Sequence, residues 1–563
     1  MTEGKIKACK PSHIAKQKQL IVNLSFLEAR MISTGEAVIR LLASYGVDTI
    51  FGIPGVHTLD FCRGLGEGMP VRHIHARNEM GAGFMADGYA RSSGRPGVCL
   101  TISGPGVTNT TTPLGQAYAD SVPLLLISAE AHSETLGKGN GTLHEVTDLN
   151  AVTRPLCAFS ECAHRPEDIP DLIERAFSVF TSKRPRPVHI AIPIDILATH
   201  IEYDWKPAQL PKRITPKESD LQEPAQMLMS SKNPFILVGG GACNSDIKTL
   251  AEKSGAIVVS SNAGKGIMPE SHPLSLGGAI CRPEVHSLLK AADLIVAIGT
   301  ELSETDNYIG RLEFDCPLIR IDIDETRFED LYNNTHTVLG DAGEAVEILN
   351  QMLSDTSPDT TEKHQTVART LAEIHSSLTV SETKHAAILS AVREAVSPDT
   401  MIMGDATQMT YTASFALSVE KPSTWHYAAG YCALGFAFPN AIGAKLASPQ
   451  TDVLAIAGDG GTMFTVQELV SAAELKLPIP LLLWHNDGYK QIRDDMRDGN
   501  VPRIAVDGLA PDFKKLAEAM HCHAIQPRSF SGLKEDIQKA FKSDRPTLIL
   551  VREDSDWLNQ ETR

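Results

Sequence analysis

No run of consecutive apolar residues in this 563-residue chain reaches the roughly 18 that a membrane helix needs. The best runs, residues 453–457 and 479–484, have the length of buried strands. No excess of base is present: 52 Lys and Arg stand against 69 Asp and Glu, a net charge of −17. Nucleic acid and anionic membranes need Lys/Arg surface, so neither partner is expected. One local nest of backbone N–H groups can still hold a phosphorylated cofactor against that background. No two cysteines form a CxxC pair; the ten are scattered from Cys9 to Cys522. That pattern excludes a disulfide scaffold and a zinc module, and reduced core thiols in a cytoplasmic enzyme are expected. His521-Cys522-His523 could suggest a metal site, but neighbours on a strand point to opposite faces, so it reads as surface.

What is present is ordinary globular composition, 42% apolar and 21% charged, with length for three or four domains. Residues 1–30 are basic without an apolar core segment, and read as a flexible extension ahead of Met31. Beyond them, apolar runs alternate with amphipathic helices and Gly/Pro turns, the pattern of parallel sheets covered on both faces. Pro- and Ser/Asp-rich stretches at 206–219 and 354–364 read as linkers. The expected fold is α/β: three doubly wound parallel-sheet domains at 31–200, 220–352 and 368–552. Gly239-Gly240-Gly241 follows a strand but lacks the GxGxxG spacing, so it reads as a tight turn.

Ala457-Gly458-Asp459-Gly460-Gly461-Thr462 follows a buried strand and precedes an amphipathic stretch. Glycine amides at a strand-to-helix turn suit a diphosphate. Asn486 lies one helix and one strand later, at the same sheet edge. A carboxylate, an amide oxygen and a backbone carbonyl suit Mg2+ bridging a diphosphate. This arrangement resembles the thiamine-diphosphate motif of the acetolactate synthase and 2-oxo acid decarboxylase superfamily. The resemblance implies that Asp459, Asn486 and the Gly488 carbonyl ligate Mg2+, with Gly458, Gly460 and Gly461 around the diphosphate. Members often show two asparagines here; this chain has His485 in the first place.

Arg77-Asn78-Glu79-Met80-Gly81-Ala82, running on to Arg91, is similar to the glutamate helix of that superfamily. By that likeness Glu79 bonds a pyrimidine nitrogen and drives proton removal from the thiazolium carbon; a carboxyl buried against an aromatic ring has a raised pKa. Gly52-Ile53-Pro54-Gly55 and Ser103-Gly104-Pro105-Gly106-Val107-Thr108-Asn109 resemble the pyrimidine-side loops, placing Pro54, Gly55, Pro105 and Asn109 at the cofactor. Ala406, Thr407 and Gln408 fall in the loop over the diphosphate, and Leu434 where the superfamily wedges an apolar side chain between the two rings. The likeness covers about residues 31–552 and implies a homodimer at minimum, commonly a homotetramer, because each site draws on two chains.

The substrate-facing positions depart from simple pyruvate decarboxylases, with Val56, Leu143-His144 and Ile492 where those have Asp, a His pair and Glu. Acidic residues between Glu301 and Asp306 would repel a diphosphate, so FAD, which acetohydroxyacid synthases bind, is not expected. His57 and His144 are the candidate proton donors and acceptors. Gln491, Ile492, Asp494 and Asp495 line the expected mouth, where paired carboxylates suit a guanidinium. The alternative for Asp494 and Asp495 is a solvated helix face or a pair with Arg493. The combination resembles members that decarboxylate 5-guanidino-2-oxopentanoate in arginine catabolism. A pyruvate carboligase and a non-catalytic cofactor-binding regulator are the alternative readings.

Overall fold

The computed structural model of the chain describes residues 31–355 and 358–559. The expected extension at 1–30 lies outside the described residues. Three parallel sheets form the frame. The first holds β2 (Thr49–Gly52), β3 (Arg72–His75), β4 (Gly97–Thr101), β5 (Leu124–Glu130), β6 (Phe159–Cys162) and β7 (Val188–Pro193) in the order β3-β2-β4-β5-β7-β6. A short antiparallel pair, β1 (Met31–Ser33) with β8 (His200–Glu202), closes that domain. The central sheet holds β9 (Pro234–Val238), β10 (Ile257–Ser260), β11 (Leu294–Ile298), β12 (Leu318–Asp322) and β13 (His336–Leu339) in the order β10-β9-β11-β12-β13. The third holds β14 (Met401–Gly404), β15 (Trp425–Tyr427), β16 (Val453–Gly458), β17 (Pro480–His485), β18 (His523–Ile525) and β19 (Thr547–Arg552) in the order β15-β14-β16-β17-β19-β18. First and third sheets therefore share one connectivity.

Inner strands are mostly apolar because helices cover both faces; every residue of β5, β16 and β17 is buried. Four of the six edge strands of the parallel sheets, β3, β6, β13 and β18, are only partly buried and give no continuous apolar run, whereas the edge strands β10 and β15 are buried throughout. A helix spans Thr361–Ser376 and so begins inside the stretch read as the second linker. Cys522 is buried in the core, which corrects the surface reading of that residue; its neighbour His523 is exposed and pairs with Asp544. All nine described cysteines are free.

Six helices position the site: α1 (Glu79–Ser93), α2 (Thr111–Ala119), α3 (Gln408–Ala416), α4 (Ala437–Ala447), α5 (Glu468–Glu474) and α6 (Lys490–Asp498). Helix α1 starts where the Asn78 side chain accepts the Met80 N–H at 2.8 Å, and stops at Gly94 in the left-handed region. It crosses α4 with the backbones in contact. A Cβ on Gly88 would lie 2.0 Å from the Asn440 carbonyl oxygen, and one on Gly443 would lie 1.9 Å from that of Met85. One apolar core consequently runs from Phe51 and Met85 of the first domain to Ala457 and Leu483 of the third.

Candidate active site

In a doubly wound sheet, ligands sit at the carboxyl ends of the two strands where the order reverses. That crevice lies between β2 and β4 in the first sheet and between β14 and β16 in the third. The loops leaving these four strands carry part of the motif residues; Glu79, His144, Leu434 and Asn486 follow the neighbouring strands β3, β5, β15 and β17.

At the first crevice, the loop after β2 carries Pro54, Gly55 and His57, and the loop after β4 carries Ser103 and Pro105. The loops touch: a Cβ on Gly55 would lie 2.6 Å from Ile102 Cγ2. His57 is buried, and its Nδ1 lies 3.0 Å from the Ser103 hydroxyl. His144 packs edge-to-face on His57, ring centroids 5.1 Å apart, and the buried Nδ1 of His144 has no hydrogen-bond partner among the described residues. Burial first, and His144 second, hold the His57 pKa below the usual histidine value. Pro105 opens the short helix Pro105–Asn109, which ends on Asn109. The Asn109 carboxamide donates to Glu79 Oε2 at 2.9 Å. Glu79, Asn109, His57 and His144 thus border one crevice, although they lie far apart in sequence.

At the other crevice, the loop after β14 carries Asp405, Ala406, Thr407 and Gln408. Asp405 is buried and accepts N–H bonds from Ala406 (2.9 Å), Gly435 (3.1 Å) and Ala437 (3.1 Å). Burial still pushes its pKa up to about 6. A Cβ on Gly461 would lie 2.8 Å from Asp405 Oδ1 and 3.5 Å from Leu434 Cδ2. Asp405 therefore gathers the loop after β14, the Leu434 loop and the glycine turn after β16. On the other side, Gln116 accepts the Ala433 N–H at 3.1 Å and Asp120 accepts the Gly430 N–H at 2.9 Å, so α2 fixes the segment before Leu434.

Asp459 is buried; its oxygens accept from the Gly460 N–H (2.9 Å) and the Gly488 N–H (3.0 Å). His485 stands beside it. Arginine can only donate, so Arg552 Nη1 at 2.7 Å makes His485 Nδ1 the acceptor and leaves the hydrogen on Nε2, 3.5 Å from Asp459 Oδ2. The Asn486 carboxamide makes no hydrogen bond among the described residues, while its carbonyl accepts from Arg493 at 3.1 Å. Gly488 has φ 119° and fits against Val506, whose carbonyl oxygen would lie 2.4 Å from a Cβ there. Carboxylate, carboxamide and backbone carbonyl form an all-oxygen donor set, and the glycine turn leaves no room for side chains. These residues fit Mg2+ and a diphosphate.

The mouth residues form a chain of hydrogen bonds on α6, which has no buried residue. Gln408 Nε2 donates to Gln491 Oε1 (3.2 Å) and Asp494 Oδ2 (3.1 Å), and Gln491 donates to Asp495 Oδ1 (3.0 Å). Asp494 holds the Arg497 guanidinium at 2.9 Å; Arg493 turns to Asp507 instead. Ile492 is exposed.

The central sheet has its corresponding crevice between β9 and β11. A Cβ on Gly239 would lie 2.2 Å from the Gly299 carbonyl oxygen, so the two glycine loops meet backbone to backbone. Arg184, from the first domain, reaches over the strand ends and binds both oxygens of Asp322 at 2.8 Å, Glu301 at 3.1 Å and Asp324 at 3.2 Å. Asp306 turns inward to the Asn262 N–H at 2.8 Å. The ground on which FAD was not expected, bare repulsion by these acids, does not hold for Glu301 and Asp306, which are compensated by a guanidinium and by an amide donor.

Sequence reasoning singled out none of Asp405, Gln116, Asp120 and the fully buried Glu468 as site residues, although Asp405 and Asp120 lie in stretches, 404–409 and 120–124, that resemble superfamily loops. Each accepts a backbone N–H that only folding brings to it.

Among known proteins, residues 32–152, 221–349 and 405–551 match the N-terminal TPP binding domain, the central domain and the C-terminal TPP binding domain of thiamine pyrophosphate enzymes. The chain is 44% identical to a probable 2-ketoarginine decarboxylase, AruI, of Pseudomonas aeruginosa, over 93% of this chain and 94% of that protein. It is 31% identical to the acetolactate synthase isozyme 1 large subunit of Escherichia coli, over 92% and 94%. An acetolactate synthase of Mycobacterium bovis is 30% identical, over 88% and 84%. With three domain patterns in order and relatives matched over nearly their whole length, the chain belongs to the thiamine pyrophosphate enzyme family.

Proposed function

We propose that the chain is a Mg2+- and thiamine-diphosphate-dependent decarboxylase of a 2-oxo acid, and that the acid is 5-guanidino-2-oxopentanoate. The bound cofactor supplies a carbanion that adds to the oxo carbon and accepts the electrons released with carbon dioxide. Asp459, Asn486 and the Gly488 carbonyl would hold the metal. Gly458, Gly460, Gly461, Ala406, Thr407 and Gln408 would enclose the diphosphate, Leu434 would support the cofactor rings, and Pro54, Gly55 and Pro105 would shape the pyrimidine side. Glu79, held by Asn109, moves the proton at the pyrimidine nitrogen. His57, held by Ser103, and His144 packed against it exchange protons at the substrate.

The observation that carries the substrate reading is the likeness to a protein named for 2-ketoarginine, the same compound. Asp494 supports it: the carboxylate already receives one guanidinium, from Arg497, and Asp495 beside it supplies a second carboxylate, each also accepting from a glutamine amide. The acetolactate synthase relatives keep the carboligase reading in play. The test is carbon dioxide release from a panel of 2-oxo acids, with and without thiamine diphosphate and Mg2+. The guanidino acid should be turned over in preference to pyruvate, and only with both additions. Equal turnover of pyruvate, or acetolactate from pyruvate alone, would reject the assignment; no turnover at all would leave a regulatory binder.

Among the described residues no hydrogen bond or ion pair joins Glu79, Asn109, His57 or His144 to the residues of the β14–β16 crevice. That separation supports a site shared between two copies of the chain, hence a homodimer or homotetramer. Nine free thiols suit a reducing cytoplasm.

A further inference from the structure

Glu468 opens α5, beyond the glycine turn that holds Asp459, and its side chain is 0% exposed. A carboxylate is buried so completely only when donors surround it. Here they come from the other end of the chain. Glu468 Oε1 accepts the backbone N–H groups of Arg77 and Asn78, each at 3.0 Å. Oε2 accepts the Ser471 hydroxyl at 2.7 Å and lies 3.2 Å from the Arg77 nitrogen. Arg77 and Asn78 are the two residues immediately before Glu79, and Asn78 is the N-cap of α1. A helix start leaves several N–H groups without internal partners. Asn78 satisfies Met80, and Glu468 satisfies the two amides upstream of it.

The sequence makes room for this contact. A Cβ on Gly81 would lie 2.3 Å from Glu468 Oε1, so a side chain in the first turn of α1 would push the carboxylate away. Burial raises the Glu468 pKa to about 6, and the three donors oppose that rise.

We propose that Glu468 is a positioning residue for Glu79. By gripping the two backbone amides ahead of α1, it fixes the first turn and with it the direction of the Glu79 carboxylate towards Asn109 and the cofactor. The role rests on Glu79 being the proton-transferring carboxylate. It also joins the glycine-turn end of the third domain to the catalytic helix of the first within one chain.

The test compares full-length wild type with Glu468→Gln, Glu468→Asp and Gly81→Ala. Glutamine keeps the size but turns a donor towards donors. Three measurements are made: amide hydrogen exchange of peptides covering residues 75–82 without cofactor, exchange of the thiazolium carbon proton in heavy water with cofactor and Mg2+ bound, and cofactor affinity by fluorescence titration. In Glu468→Gln and Gly81→Ala, amide exchange should rise about tenfold and thiazolium exchange should slow about tenfold or more, while affinity stays within about threefold. Glu468→Asp should recover part of both rates. Faster amide exchange with unchanged thiazolium exchange would overturn the proposal, leaving Glu468 as a cap only. So would unchanged amide exchange, or a loss of affinity equal to the loss of rate. If Glu468→Gln does not fold, the Gly81→Ala and Glu468→Asp pair decides by the same readings. No 2-oxo acid is present, so a wrong substrate assignment does not touch the result. Glu79→Gln, run alongside, should abolish thiazolium exchange; if it does not, the Glu79 reading fails instead.

Discussion

Buried carboxylates do much of the positioning in this protein, and Asp405 shows what that costs. Its oxygens accept three backbone N–H groups. Burial nonetheless lifts its pKa to about 6, against about 3.9 in an unfolded chain. A pKa raised on folding gives stability that is full below the unfolded value and lost as pH rises through the folded one. Asparagine cannot titrate. The melting temperature of Asp405→Asn in the cofactor-free protein should therefore improve relative to wild type as pH goes from 5 to 7, whatever the offset between them. A difference that is flat across that range would contradict the assigned burial effect.

At the scale of elements, the contact that brings the domains together is the crossing of α1 and α4. Its closeness depends on Gly88 and Gly443, each facing a carbonyl oxygen of the other helix. Gly443→Ala places a methyl group where backbone already stands, and overpacking of this kind costs about 1–3 kcal/mol or more. The melting temperature should drop by several degrees. Exposed Gly310, with nothing within 4 Å of a Cβ, is the control that should barely move it. The same crossing carries the buried Asp87, which accepts from Asn440 at 2.7 Å and pairs with Arg91 at 2.5 Å. Arg91 in turn reaches Asp120, whose other oxygen holds Gly430. The helix that begins with Glu79 is thus tied to the loop before Leu434 through one ionic network.

For the molecule as a whole, two sheets of identical strand order each present half of the site. If Glu79 of one copy meets Asp459 of another, two inactive variants should rescue each other. Glu79→Gln mixed with Asp459→Ala, unfolded and refolded together, puts both lesions in one site of each heterodimer and none in the other. Random assortment then restores about a quarter of wild-type activity. No recovery in heterodimers verified by differential tagging would show that each site is built within one chain.

The sequence by itself determined the class of fold, the three α/β blocks and the motif residues at Glu79, Asp459 and Asn486. Inner strands buried on both faces must be apolar, and a glycine turn at a strand end survives in any reading frame of the fold. It yielded the buried edge strand β10 but not β3, β6, β13 and β18, whose partly exposed residues look like loop, nor the short β15, nor the helix at Thr361–Ser376 inside a polar stretch. For Asp494 it offered a substrate guanidinium, with solvent or Arg493 as the alternative, and the structure pairs Asp494 with Arg497, three residues on. Only the tertiary structure decided that Glu301 and Asp322 are paired, because Arg184 comes from another domain. Only it brought Glu468 to Arg77 and Asn78, and Gln116 and Asp120 to the Leu434 loop. These contacts are side chain to backbone amide across hundreds of residues. A backbone N–H carries no residue identity, so nothing in the order of amino acids marks which one a distant carboxylate will meet.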